Sequence, residues 1–195
     1  MFSKIIPIII AYFLGSIPSA YLIAKNKGID ITSRVENGRL GTASVSRNVG
    51  KFAGALVGIM DFCKGALSII IADRMSGGEG WVMVLAGAAA IIGHNWSIFL
   101  HFMGGKGAAT TFGNLFYLLP IPFLLAGFIT AVPSYFLKQK SRFSIPGKNK
   151  DFKTSDFLTS ILFLLTFIFA LFFEAPLIIA FSPIIFSVPI ILKKN

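Results

Sequence analysis

Few residues in this chain could do chemistry, and they cluster. Both histidines, His94 and His101, fall within residues 93–107, a stretch that closes on Gly104-Gly105-Lys106-Gly107. An imidazole near a membrane surface can act as a general base close to neutral pH. Glycines let an anion approach backbone N–H groups closely, and a lysine within such a turn adds a point charge suited to phosphate. The Ala108-Ala109-Thr110-Thr111 that follows could open a helix, whose N-terminus also favours anions. The spacing is not that of a P-loop, because Gly-x-x-x-x-Gly-Lys-Ser/Thr is missing. Taken alone, the turn reads equally well as an interfacial loop with one basic residue, and His94 as a hydrogen-bonded residue at a helix end.

Two further groups bear on the same chemistry. Residues 38–51 contain Gly38, Gly41, Thr42 and Ser44, then Arg47 and Lys51. Asp61 and Lys64 lie three apart inside an apolar run and so share a helical face. Charges in a membrane segment are expensive and commonly functional, although an Asp–Lys pair can also only lock helix packing. Glycines, hydroxyls and cations, with few acids, suit a phosphorylated ligand at the membrane face. Attraction of the basic loops to anionic head groups explains the charge, but not the glycines or the Asp–Lys pair.

These groups must be positioned by helices. The chain has 195 residues, 55% of them hydrophobic, a mean hydropathy of +0.79 and a net charge of +10. Several apolar runs of roughly twenty residues point to an all-α integral membrane protein, with membrane lipid as its surroundings. The positive charge is then a topology signal, and no nucleic-acid partner is expected. One cysteine, Cys63, gives no disulfide framework, and two histidines with it give no metal cluster, so neither metal nor cofactor is expected.

Residues 5–24 read as a retained first span, kinked at Pro18, and not as a signal peptide. Residues 25–51 and 138–156 each carry six basic residues against two acidic ones, which places both loops in the cytoplasm. Runs at 52–72 and 81–100 supply the second and third spans. Residues 108–137, broken by Pro120, Pro122 and Pro133, must cross an even number of times, so a hairpin of two short spans is expected near Pro120. Residues 157–173 and 175–192 complete about seven transmembrane helices in one domain, 1–195, with the N-terminus outside and the C-terminus inside.

Together these motifs resemble the bacterial acyl-phosphate-dependent glycerol-3-phosphate acyltransferases, the PlsY family. The resemblance rests on Gly15-Ser16-Ile17-Pro18-Ser19-Ala20-Tyr21, the Gly-x-x-Gly loop with Arg47, Gly50 and Lys51, and Asp61-x-x-Lys64-Gly65. Most specific are Gly93-His94-Asn95-Trp96-Ser97-x-Phe99 and Gly104-Gly105-Lys106-Gly107-x-Ala109-Thr110. It covers residues 11–114 well and the rest by topology.

The resemblance implies a multi-pass enzyme of the inner cell membrane, with its active site facing the cytoplasm and working as a monomer. Such an enzyme moves a fatty acyl group from acyl-phosphate to glycerol 3-phosphate, giving lysophosphatidate for phospholipid biosynthesis without acyl-CoA or metal. By the same resemblance Gly104, Gly105 and Gly107 cradle a phosphate, while Arg47 and Lys106 hold phosphate charge. His94 sits at the reacting centre, Asn95 helps organise it, and Asp61 with Lys64 supports it. Gly38, Gly41, Thr42 and Ser44 belong to the substrate loop.

The sequence departs from the family pattern in three places. Residues 36–44 replace the usual Gly-Ser-Gly-Asn-x-Gly-Ala-Thr-Asn, and Met103 stands where a lysine is usual. The family's Ser-rich third motif is matched only loosely, at residues 155–160. The family's closing segment, with Arg-His, Asn-Ile and Gly-x-Glu, would begin where this sequence stops at Asn195, so some phosphate- and glycerol-contacting positions are expected to lack a counterpart. The departures fall on the acceptor side, and donor binding is expected to survive better. The alternatives are a non-catalytic or altered-substrate homologue that binds acyl-phosphate or anionic lipid, and a small transporter, which would want polar residues through the whole bilayer depth.

Overall fold

The computed structural model describes residues 2–35, 39–140 and 154–193, and among these the only regular structure is helical. Gly38 and most of the basic loop 138–156 lie outside the described residues.

The first apolar run does more than kink. It forms α1 (Phe2–Ser16) and α2 (Ser19–Asn26), separated at Ile17-Pro18 because proline lacks an N–H and clashes with the preceding turn. A short α3 (Thr42–Asn48) leads into α4 (Lys51–Ser76), which ends on left-handed Gly77. Next come α5 (Gly80–Asn95), a 3-10 turn at Ile98–Leu100, α6 (Ala108–Leu118) and α7 (Pro120–Lys140). The hairpin therefore turns at Leu119 as expected, but its halves are unequal, at 11 and 21 residues. An 11-residue helix rises about 16 Å, roughly half the hydrocarbon thickness. The chain closes with α8 (Thr154–Phe172), α9 (Leu177–Ala180) and α10 (Ser182–Leu192).

Three segments, Lys4–Asn26, Lys51–Ser76 and Gly80–Leu100, are long and apolar enough to cross a bilayer. The shorter apolar helices Pro120–Ala131, Thr159–Phe172 and Leu177–Leu192 bring the apolar helical segments among the described residues to six, and the 11-residue α6 packs beside them. Large apolar side chains such as Ile59, Leu124, Phe128 and Phe172 point outward, while Ser16, Ser68, Thr110, Asn114 and Thr166 are buried. Hydrocarbon is the solvent this distribution suits. Two of these hydroxyls turn back on their own helices: Ser68 donates to the Lys64 carbonyl at 2.7 Å and Thr166 to that of Leu162 at 2.7 Å.

Small residues bring the helices that carry the site into backbone contact. A methyl on Gly15 would strike the Ala90 carbonyl, and one on Gly93 the Tyr12 carbonyl, so α1 and α5 cross closely. The same reciprocity joins α4 to α6, through Gly65 against Thr110 and Gly113 against Phe62. In lipid, close van der Waals packing of this kind is a main source of helix association.

Candidate active site

Asp61 lies ten residues into α4, about 15 Å along the helix from its start. Its carboxylate is buried and takes two neighbours. Lys64 Nζ sits 2.9 Å from Oδ1, the pair that the i,i+3 spacing predicts. His94 Nδ1, one helix away at the end of α5, lies 3.5 Å from the same oxygen. That is long for a hydrogen bond, so Asp61 orients the imidazole more than it anchors it. Lys64 also donates to the Ile17 carbonyl at 3.0 Å. At the helix break that carbonyl also accepts from Ser19 N–H at 3.0 Å, and the buried ammonium is its second donor. Sequence reasoning missed this bond because no local signal joins residues 47 apart.

The glycine turn is fastened above this trio by backbone bonds. Gly105 N–H donates to the His94 carbonyl at 3.1 Å, and Leu40 N–H to the Gly104 carbonyl at 3.0 Å. The first loop is thus strapped to the turn, with Arg39 opposite Gly104 in a parallel bridge. A side chain at Gly105 would strike His94 Nε2 and come within 2.8 Å of the Leu40 carbonyl, so only glycine lets the turn lie against the imidazole. Gly107 has φ of +82°, a conformation that L side chains rarely adopt, and leads directly into α6.

A cavity of about 470 Å³ opens on this assembly. Of the residues singled out from the sequence, it brings together Gly41, Thr42, Ser44, Arg47, Asp61, His94, Lys106, Gly105 and Gly107. Among its described lining residues, Arg39, Arg47 and Lys106 are cationic and Asp61 alone is acidic. The volume falls within the usual range for small-molecule sites, and the charge favours an anion.

Several residues take other places. Lys64 and Gly104 line a small void behind the cavity, between His94 and the α1–α2 break. Asn95 is fully buried and does not line the cavity. Its amide donates to the Pro189 carbonyl at 2.8 Å, tying α5 to α10, and its side-chain oxygen lies against Gly107. Ser44 lines the cavity, but its hydroxyl accepts from Gly41 N–H at 3.0 Å and donates to the Gly41 carbonyl at 2.8 Å, shaping the loop. His101 sits on an exposed tip with φ of +50°, so of the two histidines only His94 reaches the cavity. The structure adds Arg39 to the site. Its position between Gly38 and Gly41 was the available signal.

A second cavity of about 270 Å³ adjoins the first and shares Lys106 and Ala108 with it. Phe163 and Leu164 of α8 and Ile184, Ile190 and Ile191 of α10 make it mostly apolar, with Thr159 and Ser160 toward the α8 start.

Fold and site together define a polytopic helical membrane protein with a polar, cation-lined cavity at one end and an apolar cavity joined to it. A sequence profile described as glycerol-3-phosphate acyltransferase matches residues 5–194, and the chain belongs to that family. It is 45% identical over 115 residues to glycerol-3-phosphate acyltransferase 1 of Dehalococcoides mccartyi, covering 58% of this chain and 55% of the relative. Against the glycerol-3-phosphate acyltransferase of Aquifex aeolicus it is 42% identical over 113 residues, covering 58% of each. The chain thus spans little more than half the length of these relatives. It also superposes on crystal structures of PlsY (YgiH), an integral membrane glycerol 3-phosphate acyltransferase. The glycerol 3-phosphate form gives a TM-score of 0.76 at 30% identity, covering 98% of this chain and 88% of the other. The lysophosphatidic acid form gives 0.75 at 30% identity, covering 99% and 88%.

Proposed function

We propose that the chain transfers a fatty acyl group from acyl-phosphate to glycerol 3-phosphate, producing lysophosphatidate and inorganic phosphate. The observation that carries this reading is the joining of the two cavities at Lys106: a cation- and glycine-lined chamber beside an apolar one suits a ligand with a phosphate head and a hydrocarbon tail. The acyl chain lies between α8 and α10, and its phosphate rests against the glycine turn, Lys106 and Arg47. The glycerol 3-phosphate hydroxyl attacks the acyl carbon. The new ester C–O bond forms as the bond from acyl carbon to phosphate oxygen breaks, and inorganic phosphate leaves with that electron pair. His94 Nε2 takes the hydroxyl proton while Asp61 holds Nδ1. Phosphate is a leaving group that needs little protonation, so cations and backbone donors suffice to stabilise its charge.

Lys106→Ala tests this assignment. Loss of one charge-assisted phosphate contact of about 1.5–3 kcal/mol lowers kcat/KM for acyl-phosphate roughly ten- to hundred-fold. Unchanged kinetics in the folded variant would reduce the glycine turn to a loop.

The same reading places the cavity on the cytoplasmic side of the inner membrane, in a monomer. The support is the excess of basic residues in segment 25–51, at the cavity's end of the bundle. A cysteine introduced at Gly28, where a side chain meets open space, should resist an impermeant thiol reagent in intact cells and react in inverted vesicles. Labelling in intact cells would reverse the orientation.

A further inference from the structure

Several buried hydroxyls in this bundle find an acceptor on their own helix. Ser68, Thr111, Thr130 and Thr166 each donate to the carbonyl four residues back. Ser16 and Ser19 do not. Ser16 closes α1 and is wholly buried, Ser19 opens α2 and is 2% exposed, and neither hydroxyl has a partner among the described residues. Asp61 Oδ1 is buried as well. Lys64 and His94 approach it at 2.9 and 3.5 Å, yet neither makes a well-directed hydrogen bond to it. Buried oxygens of this kind carry the desolvation cost of an unmade bond.

The residues that carry these three oxygens line one void of about 10 Å³, together with Lys64 and His94, between the imidazole and the α1–α2 break. Ser19 N–H and the Lys64 ammonium bond the same Ile17 carbonyl, each at 3.0 Å, which puts Ser19 beside the ion pair. A side chain at Gly93 would come within 2.9 Å of Ser16 Oγ, so that hydroxyl faces α5 one residue before His94. A buried water needs about 10–15 Å³ of such space and two to four polar partners. The void has room for one water, and no room for a phosphate or any larger ligand.

We propose that this void is the seat of one ordered water, which accepts from the Ser16 and Ser19 hydroxyls and donates to Asp61 Oδ1, and that the two serines act through it as positioning residues for His94. The positioning role rests on the acyltransferase reading. One water satisfies all three oxygens within its own donor and acceptor capacity. It gives Asp61 Oδ1 the directed donor that neither Lys64 nor His94 supplies. A carboxylate fixed in this way keeps the imidazole from turning about its 3.5 Å contact, and so keeps Nε2 toward the acceptor hydroxyl.

The test joins a crystal structure of the purified full chain, sharp enough to show ordered water, to kinetics on Ser16→Ala and Ser19→Ala. The wild type should show one water within hydrogen-bond distance of both hydroxyls and of Asp61 Oδ1. Each alanine variant should lower kcat about ten-fold, the loss of one hydrogen bond, with KM for acyl-phosphate and for glycerol 3-phosphate unchanged. Added to His94→Ala, Ser19→Ala should cost nothing further, because the serine acts through the imidazole. A wild-type void closed by repacking, with the hydroxyls bonded to protein atoms, would overturn the proposal. So would serine variants with wild-type kcat, or a loss that raises KM as well or persists on the His94→Ala background, since that is a general loosening of the α1–α2 break. The structure needs no turnover, so a wild-type chain that holds this water but transfers no acyl group would sink the enzymatic reading and leave the water seat standing.

Discussion

Lys64→Met should leave the protein badly destabilised, with a fall in melting temperature of about 6–20 °C in detergent. The ammonium is buried, lies 2.9 Å from Asp61 and also satisfies the Ile17 carbonyl at the α1–α2 break. Removing it leaves a buried carboxylate with only the imidazole 3.5 Å away, and takes from the Ile17 carbonyl its second donor beside Ser19 N–H. Breaking a buried pair from one side costs about 3–5 kcal/mol, and each kcal/mol shifts the midpoint of a chain this size by about 2–4 °C. The double variant Asp61→Asn/Lys64→Met removes the stranded charge and should regain most of the stability while remaining inactive. A single variant that melts with the wild type would show that the pair contributes nothing to holding α4 against α1.

The second large effect is on rate. His94→Ala should fold, because the imidazole projects into a cavity and its backbone carbonyl still receives Gly105 N–H. It removes the one imidazole that lines the cavity. Loss of a positioned general base lowers kcat by about 10²–10⁴-fold. KM for either substrate should change little, since Arg47, Lys106 and the glycine turn remain in place. A variant that keeps near-wild-type kcat would show that the acceptor proton leaves by another route.

Local rules made part of this site legible. Asp61 and Lys64 could be paired because a helix places residues three apart on one face, and they are 2.9 Å apart. The turn at Leu119 followed from counting crossings between two basic loops, a constraint set by the bilayer. The unequal lengths of α6 and α7 did not follow, because α6 packs through glycine against α4 and need not span the hydrocarbon by itself. What the spacing could not show is which distant chain segment completes each buried group. Lys64 reaches Ile17 across 47 residues, and Asn95 reaches Pro189 across 94. Each acceptor already takes a backbone N–H, Ile17 O from Ser19 and Pro189 O from Lys193, so each side chain is a second donor that only tertiary packing brings near. Asn95, read from its neighbourhood to His94 as part of the reacting set, also joins α5 to α10 through its amide.

The central claim is acyl transfer from acyl-phosphate to glycerol 3-phosphate in the joined cavities. The most direct measurement follows inorganic phosphate and lysophosphatidate together, using the purified chain in lipid nanodiscs with acyl-phosphate, with and without glycerol 3-phosphate. The account predicts phosphate release that depends on glycerol 3-phosphate, with one lysophosphatidate formed for each phosphate released. Phosphate release at the same rate without acceptor, or tight binding of acyl-phosphate with no lysophosphatidate formed, would contradict it.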